Sequence, residues 1–209
     1  DTRAVYDLLK VAPNRATDPV LLRHEADVLF LSNDNSRACD LVSRQIGNLE
    51  VPYWQKALIY CQALSGNHDQ ANLGANLLRE IGEKDEVFFG LINSLIGIAK
   101  YRITSLSNPT PLHFSMIRAA KIKLPKNVSS SNNSVVLKTI ATSPNAEPAL
   151  RVETAERAEA IGVLDTEVLQ QIYAGVNFTQ EVLDNGFLQA NKERTALSRA
   201  LLYRKAIVE

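Results

Sequence analysis

The chain has 209 residues, of which 45% are hydrophobic and 22% are charged. This length is enough for one large or two small domains with a proper core, and this composition excludes a disordered or fibrous protein. Basic and acidic residues both number 23, so the formal net charge is zero. Strand-forming runs are scarce while Ala, Leu, Glu, Gln and Arg are frequent, which predicts an all-α protein of about ten to twelve helices.

The first half of the chain is predicted to form regular helical hairpins. Asp18 followed by Pro19 marks a helix start, because an aspartate caps a helix and a proline fits its first position. A polar turn at residues 33–36 precedes a second helix, whose apolar stripe runs from Ala38 through Ile46. The next helix begins at Pro52, and the helix after it ends at a glycine.

The longest apolar stretch is VFFGLINSLIGIA at residues 87–99. It is too short to cross a bilayer as a helix, which takes about 20 residues. Because it is apolar on nearly every side, it predicts a buried central helix. The chain begins at Asp1 and its one methionine is Met116, so we expect a processed or excised segment whose compartment cannot be inferred from a missing signal peptide.

Two turns of the first half repeat each other. LSNDNSRA at residues 31–38 and LSGNHDQA at residues 64–71 share Leu, Ser, a small or polar turn residue and a closing Ala, at a constant offset of 33 residues. A helix, turn and helix repeated at this period are typical of an α-solenoid. This comparison makes His68 a residue that packs in a turn rather than a catalytic one.

The second of these units resembles a tetratricopeptide repeat (TPR). Leu58 lies on the first helix, Gly66 at the turn, His68 two residues later, and Ala71 opens the second helix. The resemblance covers residues 20–86 and implies a right-handed superhelix that presents a long surface to peptides or proteins. The positions that depart from the family pattern are Trp54, Ile59, Gln62 and Glu83.

The second half is predicted to form less regular hairpins. We expect TPR-like repeats over 1–104 and irregular hairpins over 105–209, packed together as one continuous solenoid. SLSNPTP at 105–111 reads as a turn or short linker, and the polar loop at 126–134 is a candidate for local disorder.

Three stretches of the second half resemble uncharacterised helical proteins of alphaproteobacteria. They are NPTPLHFSMIRAA at 108–120, AERAEAIGVL at 155–164 and RALLYRKA at 199–206. The resemblance implies an exported protein built from helical repeats, in the bacterial periplasm, with no stated activity.

The two cysteines, Cys39 and Cys61, are too few for a metal cluster or a disulfide framework. They fit two interpretations. In the first, both are buried thiols that act as small hydrophobic residues. In the second they form a disulfide, because the repeat places the helices that carry them side by side.

The sequence contains no recognisable catalytic or cofactor motif. Four residues after His24 stands Val28, so no second metal ligand follows at helical spacing. His113 follows a proline at a helix start and is predicted to be exposed. Glu153, Glu156 and Asp165, with Arg151 and Arg157, could perform acid–base chemistry in a cleft, but this spacing is more typical of a solvated helix face. We therefore predict no enzyme activity, no cofactor and no metal.

Charge is segregated along the chain. Residues 1–86 carry 9 basic and 13 acidic side chains, residues 87–146 carry 7 basic and no acidic ones, and the remainder carries 7 and 10. One interpretation is a basic surface for an anionic partner. The other is internal complementarity with the acidic flanks. Nucleic acid is a poor candidate, because the basic segment lacks interleaved aromatic residues.

These patterns favour a non-enzymatic protein–protein interaction module whose partner is a protein or peptide, and the basic segment would favour an acidic one. The rival hypotheses are the helical scaffold of a larger cell-envelope enzyme and a structural component of an envelope assembly. Oligomeric state and partner identity stay open. The predicted partner-binding residues are Arg118, Lys121, Lys123 and Lys126 in the basic segment, Gln55 and Gln62 on a first helix, and Asn72, Asn76 and Arg79 on a second helix.

Overall fold

The computed structural model describes residues 2–14, 16–45, 47 and 51–208. Over these residues the chain forms thirteen α-helices and no strand, which confirms the all-α class. The predicted stripe residue Ile46 lies outside the described residues. The helices are α1 (Thr2–Val11), α2 (Pro19–Leu31), α3 (Asn35–Ser43), α4 (Pro52–Leu64), α5 (His68–Glu80), α6 (Glu86–Leu95), α7 (Pro111–Ala119), α8 (Ser134–Ala141), α9 (Pro148–Ala160), α10 (Thr166–Ala174), α11 (Gln180–Asp184), α12 (Gly186–Lys192) and α13 (Ala196–Val208).

The chain divides into two compact units, Asp1–Ile122 and Lys123–Glu209. The arrangement of the two halves as one right-handed continuous solenoid stays a prediction. None of the helices in the described ranges has the length and apolar character that a membrane-spanning helix needs.

The first unit contains two hairpins, α2–α3 and α4–α5, whose turns have the same hydrogen bonds at an offset of 33 residues. The Asp34 N–H donates to the Leu29 carbonyl and the Asn67 N–H donates to the Gln62 carbonyl, both at 2.9 Å. Each turn contains one residue in the left-handed region: Asn33 at φ 59° and Gly66 at φ 79°. This bonding closes a helix with a left-handed residue after its last turn. The two turns that match in sequence therefore have the same backbone geometry, which is compatible with the predicted repeat.

Consecutive hairpins are joined covalently. Cys39 on α3 and Cys61 on α4 form a disulfide, with Cα atoms 5.6 Å apart and a sequence separation of 22 residues. Of the two interpretations that the sequence allows, the structure has the disulfide. It links the second helix of one hairpin to the first helix of the next, where α3 packs on α4.

The last part of the first unit folds back onto the hairpins. Residues 96–110 form an irregular strap whose Ile103 and Leu106 side chains are buried, and its Tyr101 ring lies directly against Gly90 of α6. The strap leads into α7, which packs on α2 and α6. Residues 112–117 of α7 are all buried, so this helix fills interior space that the first helices of the hairpins enclose.

The second unit has a core of small and branched side chains. Helix α9 packs against α8, α10 and α13. The core consists of Leu137, Ala141, Val152, Ala155, Ala158, Leu164, Ile172, Val176 and Ala200.

The segment at 126–134, predicted as a disordered loop, is structured. Lys126–Ser130 forms a 3₁₀ helix and Val128 is 2% exposed. The Arg157 guanidinium donates to the carbonyls of Ser129 and Ser131, the second at 2.8 Å. The disorder prediction is wrong, because polar composition does not reveal one buried valine and a distant arginine.

Candidate functional site

A charged node lies where α4, α6 and α7 meet in the first unit. The Lys56 ammonium lies 2.9 Å from the Asp85 carboxylate and 3.2 Å from the Glu83 carboxylate. Nε2 of His113 lies 3.0 Å from the same Asp85 carboxylate. All four side chains are between 10% and 22% exposed, so the node is largely shielded from water.

Local sequence places each member of the node. Asp85 caps α6, with its carboxylate accepting from the Phe88 N–H at 3.0 Å. Thr110 caps α7: its hydroxyl accepts from the His113 N–H at 3.3 Å, and His113 Nδ1 accepts from the Thr110 N–H at 3.2 Å. Because Nδ1 is an acceptor, Nε2 carries the proton and donates to Asp85.

The prediction that His113 is exposed is wrong, since this residue is 8% exposed. The signal that could have placed it is the order Thr110, Pro111 and His113, because a side chain at the third helical position can reach back to the cap. Its partner Asp85 lies 28 residues away in the chain, and no sequence pattern joins the two.

Thr110, His113 and Asp85 follow one another as a hydroxyl, an imidazole and a carboxylate, as in a catalytic triad. Their hydrogen bonds, however, fit a structural role. The Thr110 hydroxyl is occupied as a helix cap, and His113 Nδ1 already accepts a backbone N–H. Burial by itself would raise the pKa of Asp85, but hydrogen bonds from His113, Lys56 and the Phe88 N–H hold the pKa well below its usual value. The carboxylate is therefore stabilised as an anion that ties three helices together.

A second polar contact fixes α7 in the same unit. The hydroxyls of Tyr60 and Ser115 lie 3.0 Å apart, and the Ser115 hydroxyl donates to Asn35 Oδ1 at 2.9 Å. Burial raises the pKa of Tyr60 to about 12. The Arg118 guanidinium donates to the Leu31 carbonyl at 3.3 Å. These bonds hold α7 on α2, α3 and α4.

The predicted binding residues of the basic segment fall into two groups. Arg118 is half-buried and bonded to Leu31, and Lys123 pairs with Glu147 at 2.5 Å. Lys121 and Lys126 are exposed. Lys123 and Lys126 lower the pKa of Glu147. Part of the basic segment is thus complemented within the chain, while Lys121 and Lys126 face solvent.

The predicted partner-binding residues on the hairpins also fall into a half-buried and an exposed group. Gln55 and Gln62 on α4 are half-buried, as is Asn72 on α5, whereas Asn76 and Arg79 on α5 are exposed. The Arg79 guanidinium lies 4.2 Å from the centre of the Phe89 ring. His68 is exposed at the start of α5, so the prediction that it packs between helices is wrong.

Helix α5 exposes a row of large apolar side chains that sequence reasoning missed. Leu73, Leu77 and Ile81 are 61%, 51% and 71% exposed. Leu73 and Leu77 lie on α5, and Ile81 is its C-cap residue. At intervals of four residues the three side chains follow one row along the helix surface; we call this row the α5 ridge. The inner side of α5 is formed by Ala71, Ala75 and Leu78, which already bury the face that the hairpin needs.

A cleft of about 660 Å³ opens between α1, α2 and α3. The buried side chains of Glu25 and Gln45 line it together with three leucines. Its outer residues carry both signs of charge. They are Lys10, Arg37, Asp40 and Arg44.

The charged face predicted on and after α9 divides into two groups: Glu153 and Asp165 are exposed, as a solvated face requires, while Arg151, Glu156 and Arg157 are half-buried and bond neighbouring elements. The Glu156 carboxylate accepts from the Tyr173 hydroxyl at 2.5 Å and from Nε of Arg199 at 2.7 Å. Arg157 bonds the 3₁₀ helix, and Arg151 donates to the Ala141 carbonyl at 3.4 Å. These charges join α9 to its neighbours.

Within the part of the chain that the structure describes, His, Cys, Asp and Glu side chains form no group of three that could hold a metal ion. Comparison with protein-family models, curated proteins and solved structures finds no match for this chain.

Proposed function

We propose that this chain is a non-enzymatic protein-interaction module, built from TPR-like helical hairpins. The observation that carries this proposal is the α5 ridge. Three large apolar side chains, each at least half exposed, form a continuous row on one helix. Exposed apolar rows of this kind are typical of protein interaction surfaces.

The position of α7 supports an outward-facing binding surface. TPR-like repeats usually bind partners on the side lined by their first helices. Here α7 packs on the first helix α2, and Ser115 of α7 bonds Tyr60 of the first helix α4. The partner therefore binds the second helices, where Asn76 and Arg79 accompany the α5 ridge.

The basic segment supports a second, electrostatic contribution from an acidic protein or peptide. Lys121 and Lys126 are exposed within sixty residues that contain no acid. Exposed cations of one sign accelerate association with an anionic partner and make it dependent on salt.

The disulfide supports an oxidising compartment. Disulfides persist in secreted and periplasmic proteins and are rare in reducing cytosol. Together with the resemblance to exported alphaproteobacterial proteins, Cys39–Cys61 favours a function in the bacterial periplasm.

Affinity capture from a periplasmic extract tests the proposal. The wild-type chain is compared with Leu73→Glu/Leu77→Glu on the ridge and with Lys121→Glu/Lys126→Glu, which leaves the Lys123–Glu147 pair intact. The matched controls are Val20→Glu, an exposed valine on α2 that is 61% exposed, and Lys84→Glu/Lys192→Glu, two exposed lysines outside the acid-free segment.

We expect the controls to recover the same proteins as the wild type and the ridge variant to lose them. The lysine variant is expected to recover less of them than the wild type at low salt, and this difference is expected to shrink as salt rises, because salt screens the charges. Recovery of the same proteins by every variant would show that neither surface binds a partner.

A further inference from the structure

The α5 ridge is symmetric about its middle residue. Leu77 has one large apolar neighbour four residues before it, Leu73, and one four residues after it, Ile81. A two-fold axis through Leu77 exchanges Leu73 and Ile81 between two copies of the chain. Leu73 of one copy then contacts Ile81 of the other, and the two Leu77 side chains contact each other. Self-complementarity of this kind is the requirement for an isologous interface.

The same two-fold axis brings complementary polar residues of the two copies together beside the α5 ridge. Asn76 and Glu80 are exposed on one flank of the ridge. At about 1.5 Å per residue, Asn76 lies about 1.5 Å to one side of Leu77 along the helix and Glu80 about 4.5 Å to the other. The two-fold axis inverts these positions, so Asn76 of the second copy comes within about 3 Å of Glu80 along the axis. An Asn76 amide then donates to a Glu80 carboxylate on either side of the two-fold axis.

We propose that the α5 ridge joins two copies of this chain, with two α5 helices packed antiparallel across a two-fold axis at Leu77. This inference rests on the proposed function, because it takes the ridge to be a protein-binding surface and names its partner. One helix of 13 residues presents less than the roughly 800 Å² per partner of a standard interface. The dimer is therefore reversible and depends on concentration.

Sedimentation equilibrium of the whole chain over a wide concentration range tests the dimer. The wild type is expected to shift from monomer to dimer as concentration rises. Leu77→Glu places two carboxylates together at the axis and is expected to weaken the dimer at least about tenfold. Val20→Glu adds the same charge at an exposed valine on α2 and is expected to leave the dimer unchanged.

A charge exchange tests the register of the two helices. Asn76→Asp puts a carboxylate opposite Glu80 of the second copy and is expected to weaken the dimer. Adding Glu80→Lys to Asn76→Asp replaces this repulsion with two ion pairs and is expected to restore it. Weakening without restoration would contradict the antiparallel register.

Cross-linking tests the position of the axis. Both native cysteines are held in the disulfide, so Leu77→Cys adds a single new thiol that meets its own copy. Mild oxidation is expected to give a covalent dimer of Leu77→Cys and little of Val20→Cys. A chain that stays monomeric at every concentration, without a Leu77→Cys dimer, overturns the inference. Loss of captured proteins by the ridge variant in that case still supports the proposed function, which separates the two failures.

Discussion

The two units of this protein are stabilised by different contacts. In the first unit, the Cys39–Cys61 disulfide and the node around Asp85 join helices by a few specific bonds. Its most buried side chains are large ones such as Tyr60, Phe88 and Met116. The second unit contains no cysteine, and its largest fully buried side chains are the smaller, branched Ile140, Val128 and Val152.

This difference has a physical consequence for mutation. The packing energy of small and branched side chains is distributed over many weak contacts. A covalent bond or a shielded ionic node concentrates the stabilisation in a few groups. Removing one such group is therefore expected to cost more in the first unit than in the second.

Removal of the disulfide should cause the largest loss of folding stability. Cys39→Ala/Cys61→Ala is expected to lower the free energy of unfolding by about 3 kcal/mol, because the disulfide restricts the unfolded chain over a loop of this length. Urea unfolding followed by the fluorescence of Trp54, the one tryptophan of the chain and 3% exposed in α4, measures it in the first unit. Reduction of the wild type should give the same loss, and an unchanged midpoint would show that packing alone holds α3 on α4.

Removal of the Asp85 charge should cause the second-largest loss of folding stability. Asp85→Asn keeps a capping side chain but removes the charge that Lys56 and His113 bind, and we expect a loss of about 2 kcal/mol. The same urea experiment measures this loss. Asp69→Asn, an exposed acid in the first turn of α5, is the matched control and should have little effect. Equal losses in the two variants would mean that the node contributes no more than a surface charge.

Stability should also depend on pH through Asp85. Its pKa is lowered in the folded protein, so the unfolded chain takes up the proton first as pH falls. The contribution of Asp85 is complete above the unfolded pKa of about 3.9 and is lost as pH falls below it. Urea midpoints from neutral to acidic pH are expected to fall more steeply for the wild type than for Asp85→Asn. Parallel curves would contradict this assignment.

The charged contact of the second unit should have a smaller effect. Burial would raise the pKa of Glu156, but bonds from Arg199 and Tyr173 lower it. Because the Arg199 side chain is 52% exposed, Glu156→Gln is expected to cost only about 1 kcal/mol. Hydrogen exchange of α9 and α13 amides measures it, with Glu153→Gln on the exposed side of α9 as control. A loss as large as that of Asp85→Asn would remove the contrast between the units.

The smallest effect is expected at the surface pair of Lys123 and Glu147. The Lys123 side chain is 81% exposed, and water screens such pairs. Lys123→Ala should leave the melting temperature unchanged by calorimetry. A clear decrease would show that this pair has a structural role that its exposure does not suggest.

Local patterns in the sequence predicted several elements correctly. Asp18 caps α2 with hydrogen bonds to two backbone N–H groups, and Gly66 adopts the left-handed conformation of a helix end. The stretch at 87–99, predicted as a buried central helix, includes most of α6, although this helix ends at Leu95 and Ile98 is 58% exposed. Such features depend on residues within one or two turns of each other, which is why they can be read from a single sequence.

Contacts between distant residues could not be predicted in the same way. Nothing in the sequence joins Asp85 to His113, or Arg157 to the carbonyl of Ser129. The exposure of Leu73, Leu77 and Ile81 was equally hidden, because an apolar residue at helical spacing usually faces the core. Only the packing of α5 through its alanine face shows that the leucine face is left in solvent.

The sequence by itself therefore determined the all-α class, the hairpin period and the helix ends, because these follow from local propensity, capping and spacing. The tertiary structure alone decided which of two cysteine interpretations holds, where α7 packs and which charges are shielded. It also decided which side of α5 is exposed to solvent. The physical reason is that burial and ionic partners depend on which distant surfaces meet: His113 reaches the Lys56–Asp85 pair because α7 packs against α6.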